Sequence, residues 1–264
     1  MFLPSIINPS MCLENIMDIL LIIVITFLIA VLFSIMGLGG AIIYTPLFFW
    51  LGIPLLAAIP MALLLNMITT ASASITYLKQ MLVDKKIALP LILTSTFGAL
   101  TGSYFASRIE TRVLIILLSI ILLFAALRIL LFNNIGFMVK DGENKKILVG
   151  AGLAFIFGII SSLVGIGGGT FIVPLLLILG LETKNAVATS AFIITFTSLS
   201  GFVGHLVFGT QTLDLNVLFY AGLTAFAGAQ IGSKIIFKRV SPKVISRLFA
   251  LFLLFMAAKL LYGL

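Results

Sequence analysis

Apolar runs, broken by short polar or turn-forming stretches, divide the chain into ten segments. Read as helices, those of the first half lie at roughly 18–36, 41–52, 56–78, 87–107 and 112–132. Those of the second half lie at roughly 147–164, 169–181, 185–207, 215–233 and 243–263. Most approach the ~20 residues a helix needs to cross ~30 Å of hydrocarbon. Two do not. Segments 41–52 and 169–181 each follow a glycine cluster, Gly37-Leu38-Gly39-Gly40 or Gly165-Ile166-Gly167-Gly168-Gly169, and end at Gly52 and Gly180. The pattern predicts a turn at membrane depth followed by a short return arm, twice.

Composition turns this pattern into a fold class. With 62% apolar and 9% charged residues, the chain falls far below the roughly 25% charge of a soluble domain. Its solvent is therefore a lipid bilayer, and an all-α membrane protein is expected. Residues 1–17 form a short N-terminal extension with no Lys or Arg before the first apolar run. The charged head of a cleavable signal is thus missing, and 18 onward reads as a retained first segment. Cys12 is the only cysteine, so it predicts neither an internal bridge nor a multi-cysteine metal site.

The basic residues decide between topologies. If each glycine turn reverses the chain, thirteen of the sixteen Lys and Arg fall on one face and only Arg108, Arg112 and Lys259 on the other. If the short arms are surface loops instead, the tally becomes eight against eight. Basic loops face the cytoplasm, so the reversing topology is expected, with both termini outside and 133–146 a cytoplasmic linker. Each half, 18–132 and 147–264, then has an odd number of remaining crossings, and the halves are inverted. Re-entrant and fully spanning hairpins have the same parity and stay open. The net charge of +8 serves topology here. It forms no basic stripe beside aromatics, so no nucleic-acid partner is expected.

Sliding the chain on itself by 128 residues places Gly37, Gly39 and Gly40 on Gly165, Gly167 and Gly168, Pro46 on Pro174, and Gly52 on Gly180. With a small change of offset, Gly98-Ala99 and Gly102-Ser103 meet Gly228-Ala229 and Gly232-Ser233, and Arg112, Phe124 and Arg128 meet Lys243, Phe255 and Lys259. The chain reads as two inverted-topology repeats, each a glycine-turn helical hairpin plus three transmembrane helices. In secondary transporters such repeats meet at a substrate site near the midplane.

Irregular backbone at that depth is tolerable only inside protein or beside a water-filled cavity. The first amides of each short arm, near Gly40 to Ile42 and Gly168 to Thr170, carry free donors and the positive end of a helix dipole, which together suit an anion. Close helix packing is the plainer use of such glycines. The following segments supply Asn66, Thr69, Thr70, Ser72, Ser74 and Thr76, then Thr189, Ser190, Thr195, Thr197, Ser198 and Ser200. These side chains either line a polar path or bond between helices. Asn66, Thr70, Thr195 and Ser198 join Gln230 as candidate substrate contacts, while Thr101 is the weaker neighbour of the repeated glycines.

All eight acids, Glu14, Asp18, Asp84, Glu110, Asp141, Glu143, Glu182 and Asp214, lie at or near segment ends. His205 is the only histidine and is read as an interfacial polar residue near the outer end of its segment. No metal cluster or nucleophile–base–acid triad can be assembled in the membrane from this set, so no cofactor and no enzyme activity are expected. A cavity with donors and no fixed acids prefers a small anion to a cation.

The paired Gly-X-Gly-Gly-[Ala/Gly] turns, each about five residues before a proline and repeated in two halves, resemble the TauE/SafE sulfite exporter family, also called the toluene sulfonate uptake permease family. The resemblance covers roughly residues 18 to 263, and Gly165 to Gly169 is its closer match. The first half departs at Ala41, where a third glycine would repeat the second-half pattern. The resemblance implies a plasma-membrane carrier for sulfite, sulfonates or related organic anions, working by alternating access. It places substrate contacts at the amides around Gly39, Gly40, Ala41, Gly167, Gly168 and Gly169. An anion channel or passive pore is the alternative, and a homo-oligomer is compatible with the sequence.

Overall fold

The computed structural model describes residues 16–36, 39–131, 143–209, 213, 215–235 and 253–260. Among these, every regular element is a helix: α1 (Ile16–Met36), α2 (Ala41–Trp50), α3 (Leu55–Lys79), α4 (Lys85–Ala106), α5 (Thr111–Leu131), α6 (Glu143–Val164), α7 (Gly169–Ile178), α8 (Thr183–Phe208), α9 (Leu215–Ile235) and a final α10 over 253–260. The predicted segments match them closely. Helix α6 starts one turn earlier, because Glu143, Lys145 and Lys146 are charged yet favour helix. Most of the extension 1–17 and of the linker 133–146, together with Gly37, Leu38 and the first part of segment 243–263, lie outside the described residues.

Helix ends follow local rules. Asp84 caps α4, its carboxylate accepting from the amides of Lys86 (3.0 Å) and Ile87 (3.1 Å). Both short arms close with one motif. After α2, Gly52 N–H donates to Phe49 O and Ile53 N–H to Phe48 O; after α7, Gly180 N–H donates to Leu177 O and Leu181 N–H to Leu176 O. This pair of bonds needs a left-handed residue past the helix, and Gly52 and Gly180 supply it at φ +85° and +98°. Pro46 and Pro174 lie inside the arms, at the same step from each start.

Among the described residues, four helices are long and apolar enough to cross a bilayer: α3, α4, the Lys145–Val164 part of α6, and α8. The outward surface is apolar, with Leu93, Phe97 and Phe219 each more than 60% exposed. Water would not tolerate such a surface, and lipid requires it. The hydroxyls and amides go inward. Asn66, Thr69, Thr70, Ser72, Thr189, Ser190, Thr197 and Ser198 are all buried, on the two helices that cross at the centre, α3 and α8.

Packing joins the two halves rather than separating them. Helix α4 lies along α6, and α1 along α9. In both pairs glycine removes the side chain where backbones touch: a methyl on Gly98 or Gly102 would strike the carbonyls of Phe155 or Ile159, and one on Gly228 or Gly232 those of Phe27 or Val31. Phe155 and Ile159 stand 128 residues after Phe27 and Val31, and Gly228 and Gly232 stand 130 after Gly98 and Gly102. The two interfaces therefore use corresponding residues. The arms follow the same rule, α2 resting on α3 and α7 on α8.

Candidate functional site

The last carbonyls of a helix have no partner in their own helix, and α1 and α6 both end next to a glycine turn. In α1 the Ser34 carbonyl accepts from the Tyr77 hydroxyl of α3 at 2.7 Å. In α6 the Ser162 carbonyl lies 2.8 Å from His205 Nε2 of α8. Ser162 is 128 residues after Ser34, and His205 is 128 after Tyr77. A carbonyl can only accept, so Nε2 carries the ring proton. His205, in the last turn of α8, is thus buried and bonded, because the end of α6 needs a donor there. Tyr77→Phe and His205→Phe are each expected to lower the unfolding free energy by about 1 kcal/mol. Detergent-denaturation curves of the purified variants test this, and unequal losses would show that the two clamps are not equivalent.

The turns themselves meet on one side chain. Asn66 is fully buried in α3. Its Oδ1 accepts from the Ala41 amide at 3.0 Å, and its Nδ2 donates to Ser198 Oγ at 2.7 Å, with the Gly167 carbonyl at 3.5 Å. These partners fix which end of the amide is oxygen, since an N–H and a carbonyl cannot exchange places. Gly39 and Gly167 are glycines for this reason: at φ +88° and +76°, a methyl on either would fall on the Asn66 amide. The first arm also reaches across, Thr45 Oγ1 donating to the Gly165 carbonyl at 2.7 Å.

Beside Asn66, Thr195 donates to Thr70 at 3.1 Å. Ser198 is 128 residues after Thr70, whereas the position 128 after Asn66 is Ile194, so this contact lies beside Asn66–Ser198 without repeating its residues. Asn66, Thr70, Thr195 and Ser198 therefore form one polar cluster between α3 and α8, touching both turns. Gln230 stands apart: its Nε2 donates to the Ser72 carbonyl (2.9 Å) and hydroxyl (3.0 Å), tying α9 to α3. Ser72 lies about 9 Å beyond Asn66 along the helix.

Both arms start at a left-handed glycine, Gly40 at φ +116° and Gly168 at φ +74°. Their carbonyls accept the amides of Ile43 and Tyr44, and of Phe171 and Ile172. That leaves the first two amides of each arm pointing out of the helix end. In the first arm Asn66 has taken the Ala41 amide. In the second, none of the described residues accepts from Gly169 or Thr170. Ser161, whose hydroxyl is buried beside Gly168, escaped the sequence reading, as did the crossing role of Thr45. Serines near helix ends are too common to stand out. The 128-residue shift was the available signal, since it sets Ser161 against Phe33 and Tyr77 against His205.

Known proteins place this arrangement. The family model described as sulfite exporter TauE/SafE matches residues 22–260. The probable membrane transporter protein YunE of Bacillus subtilis is 27% identical over 273 aligned residues, covering 93% of this chain and 98% of its own. A probable membrane transporter protein of Methanocaldococcus jannaschii is 27% identical, covering 84% of this chain and 88% of its own. Sulfite exporter TauE/SafE family protein 5 of Arabidopsis thaliana is 34% identical over a shorter stretch, 44% of this chain and 26% of its own. No solved structure matches the chain. This chain, helical throughout its described elements, with an apolar outer face and two glycine turns joined at a buried polar cluster, and matched over residues 22–260, belongs to the sulfite exporter TauE/SafE family of membrane transporters.

Proposed function

We propose that this transporter carries small anions, sulfur-containing or organic, across the plasma membrane by alternating access, and that its two repeats are inverted in the membrane. The observation that carries the reading is the meeting of the two arm N-termini on one buried polar cluster at the α3–α8 crossing. A helix N-terminus there offers backbone donors and a positive dipole end in low dielectric. The cluster around it, Asn66, Thr70, Thr195 and Ser198, is neutral. An anion finds donors in this setting, and a cation finds no countercharge.

The paired interfaces support the inverted repeat. Two bodies related by a two-fold axis exchange corresponding contacts, as α4–α6 and α1–α9 do. At the far end of α7, about 15 Å from Gly169 by helix rise, an open cavity of about 450 Å³ is lined by Asp84, Lys146, Gly180, Glu182 and Asn185 among others. It suits a vestibule on the side to which the basic loops belong.

Purified protein in liposomes should show saturable sulfite or methanesulfonate counterflow. Gly168→Ala should reduce it at least tenfold, since the new methyl would sit at the mouth of the amides while making only ordinary contact, 3.5 Å from Ser161 Oγ. A left-handed alanine costs about 1–2 kcal/mol, which leaves the fold intact. Single-channel conductance in place of counterflow would assign a pore, and cation flux indifferent to anions would overturn the anion reading.

A further inference from the structure

We infer that the two glycine turns are not equivalent: the anionic head of the substrate is held by the second turn alone, on the amides of Gly169 and Thr170 with the Ser161 hydroxyl as a further donor. This rests on the anion-transporter reading above and narrows it to one arm.

The first observation is Ser161 itself. A serine inside a helix ordinarily donates to the carbonyl three or four residues back. Here Ser34, Thr69, Thr70, Ser95, Ser103, Ser119, Ser190 and Thr195 all do so. Ser161 does not. It is 1% exposed, and its Oγ is buried with no partner. The same atom lies 3.5 Å from the point where a Cβ of Gly168 would stand. A buried hydroxyl with no acceptor, set against a helix start whose first amides have none, marks a place for an acceptor that the chain does not provide.

The second observation is what occupies the corresponding place in the first half. There the amide matching Gly169 is that of Ala41, and Asn66 Oδ1 already accepts from it. The position matching Ser161 is Phe33, and the one matching Ile172 is Tyr44. The Tyr44 ring lies 3.1 Å, and Ile29 3.0 Å, from where a Cβ of Gly40 would stand. At Gly168 the neighbours are Ser161 and, at 3.9 Å, Ile172. The first turn therefore has its leading amide capped and is crowded, although the Ile42 amide finds no acceptor among the described residues, and the second has neither amide capped and is looser.

Asn66 explains the difference. It lies between the turns and has one acceptor end and one donor end. The acceptor end serves the first turn, and the donor end faces the second. Asn66 Oδ1 thus occupies at Ala41 the place that an oxygen of the substrate would take at Gly169. The position 128 residues after Asn66 is Ile194, which has no amide to offer, and the neighbouring Thr195 is shorter and bonds to Thr70 and to its own helix. The group that fits carries several acceptor oxygens and no donor, as sulfite and sulfonates do.

The test uses the full chain in detergent with sulfite, methanesulfonate and acetate as probes, read by calorimetric binding and by thermal shift. Wild type should bind one anion per chain. Ser161→Ala should weaken binding by roughly tenfold to a hundredfold, the effect of one hydrogen bond to a charged group. Its melting temperature without ligand should stay the same or rise, because an unpartnered buried hydroxyl has been removed. Ser162→Ala, whose hydroxyl is equally buried but faces Gly201 of α8, should bind as wild type. Two equal sites per chain, or Ser161→Ala binding as tightly as wild type while Gly168→Ala loses the anion, would overturn this inference and leave the anion reading standing. Anion binding untouched by both Ser161→Ala and Gly168→Ala would overturn both.

Discussion

Asn66→Ala is expected to lower the unfolding free energy by about 3 kcal/mol and to weaken anion binding, since the Gly167 carbonyl of the second turn loses the amide that faces it. Three separate losses add up to this. The Ala41 amide loses its acceptor at 3.0 Å, Ser198 loses its donor at 2.7 Å, and a fully buried site is left partly empty. An unpaired buried polar group costs about 1–3 kcal/mol, and low dielectric makes such networks cooperative. Asn66→Asp provides the decisive comparison. It keeps the size and the cap on Ala41 but turns an acceptor oxygen toward the Gly167 carbonyl, where Nδ2 now points. A carboxylate there is also a buried charge without a countercharge in the neutral cluster. Asn66→Asp should therefore be at least as damaging as alanine, in both detergent denaturation and anion binding. If aspartate kept wild-type stability, the Nδ2 contacts would contribute nothing and Asn66 would only be a cap.

The place of Asn66 also shows which parts of the molecule could be read from the sequence. Its segment was legible: an apolar run from 56 to 78 became Leu55–Lys79, because lipid demands a helix and Pro54 and Gln80 bound it. The pairing of the turns was legible too, since Gly39 and Gly167 recur at a fixed shift. The reason for those glycines was not. The amides were expected to be glycine-flanked so that a ligand could approach, yet at Gly39 and Gly167 the group that approaches is the Asn66 side chain. A periodic pattern tells which residues face inward, but the partner across a helix crossing depends on rotation and register, which a one-dimensional pattern does not carry. The partner of His205 was hidden for a related reason. Its counterpart Tyr77 differs in residue type, so only the shared task of holding the end of the preceding helix reveals the match. Ser161 was hidden because what matters is a bond it does not make.

Gly98→Ala and Gly228→Ala should each destabilise the protein by about 3 kcal/mol and by similar amounts, while Gly152→Ala should stabilise it by up to about 1 kcal/mol. All three are helical glycines, and propensity alone would favour alanine at each by up to about 1 kcal/mol. Contact decides the sign. A methyl at Gly98 meets the Phe155 carbonyl, and one at Gly228 meets the Phe27 carbonyl at 2.6 Å; nothing lies within 4 Å of one at Gly152. A backbone carbonyl cannot swing aside as a side chain does, so two helices must move apart and lose contact along their length, as overpacked cores do. Equal effects in thermal unfolding would show that α4–α6 and α1–α9 are one interface used twice. The consequence reaches transport. Each interface binds a helix of one half to a helix of the other by direct backbone contact, the closest kind of helix packing in a membrane. Under alternating access, the bodies that move would then be these cross-half pairs turning about the α3–α8 crossing, not the two sequence halves sliding past one another. A cysteine cross-link within α4–α6 should therefore leave counterflow intact, and its loss on linking would return the motion to the halves.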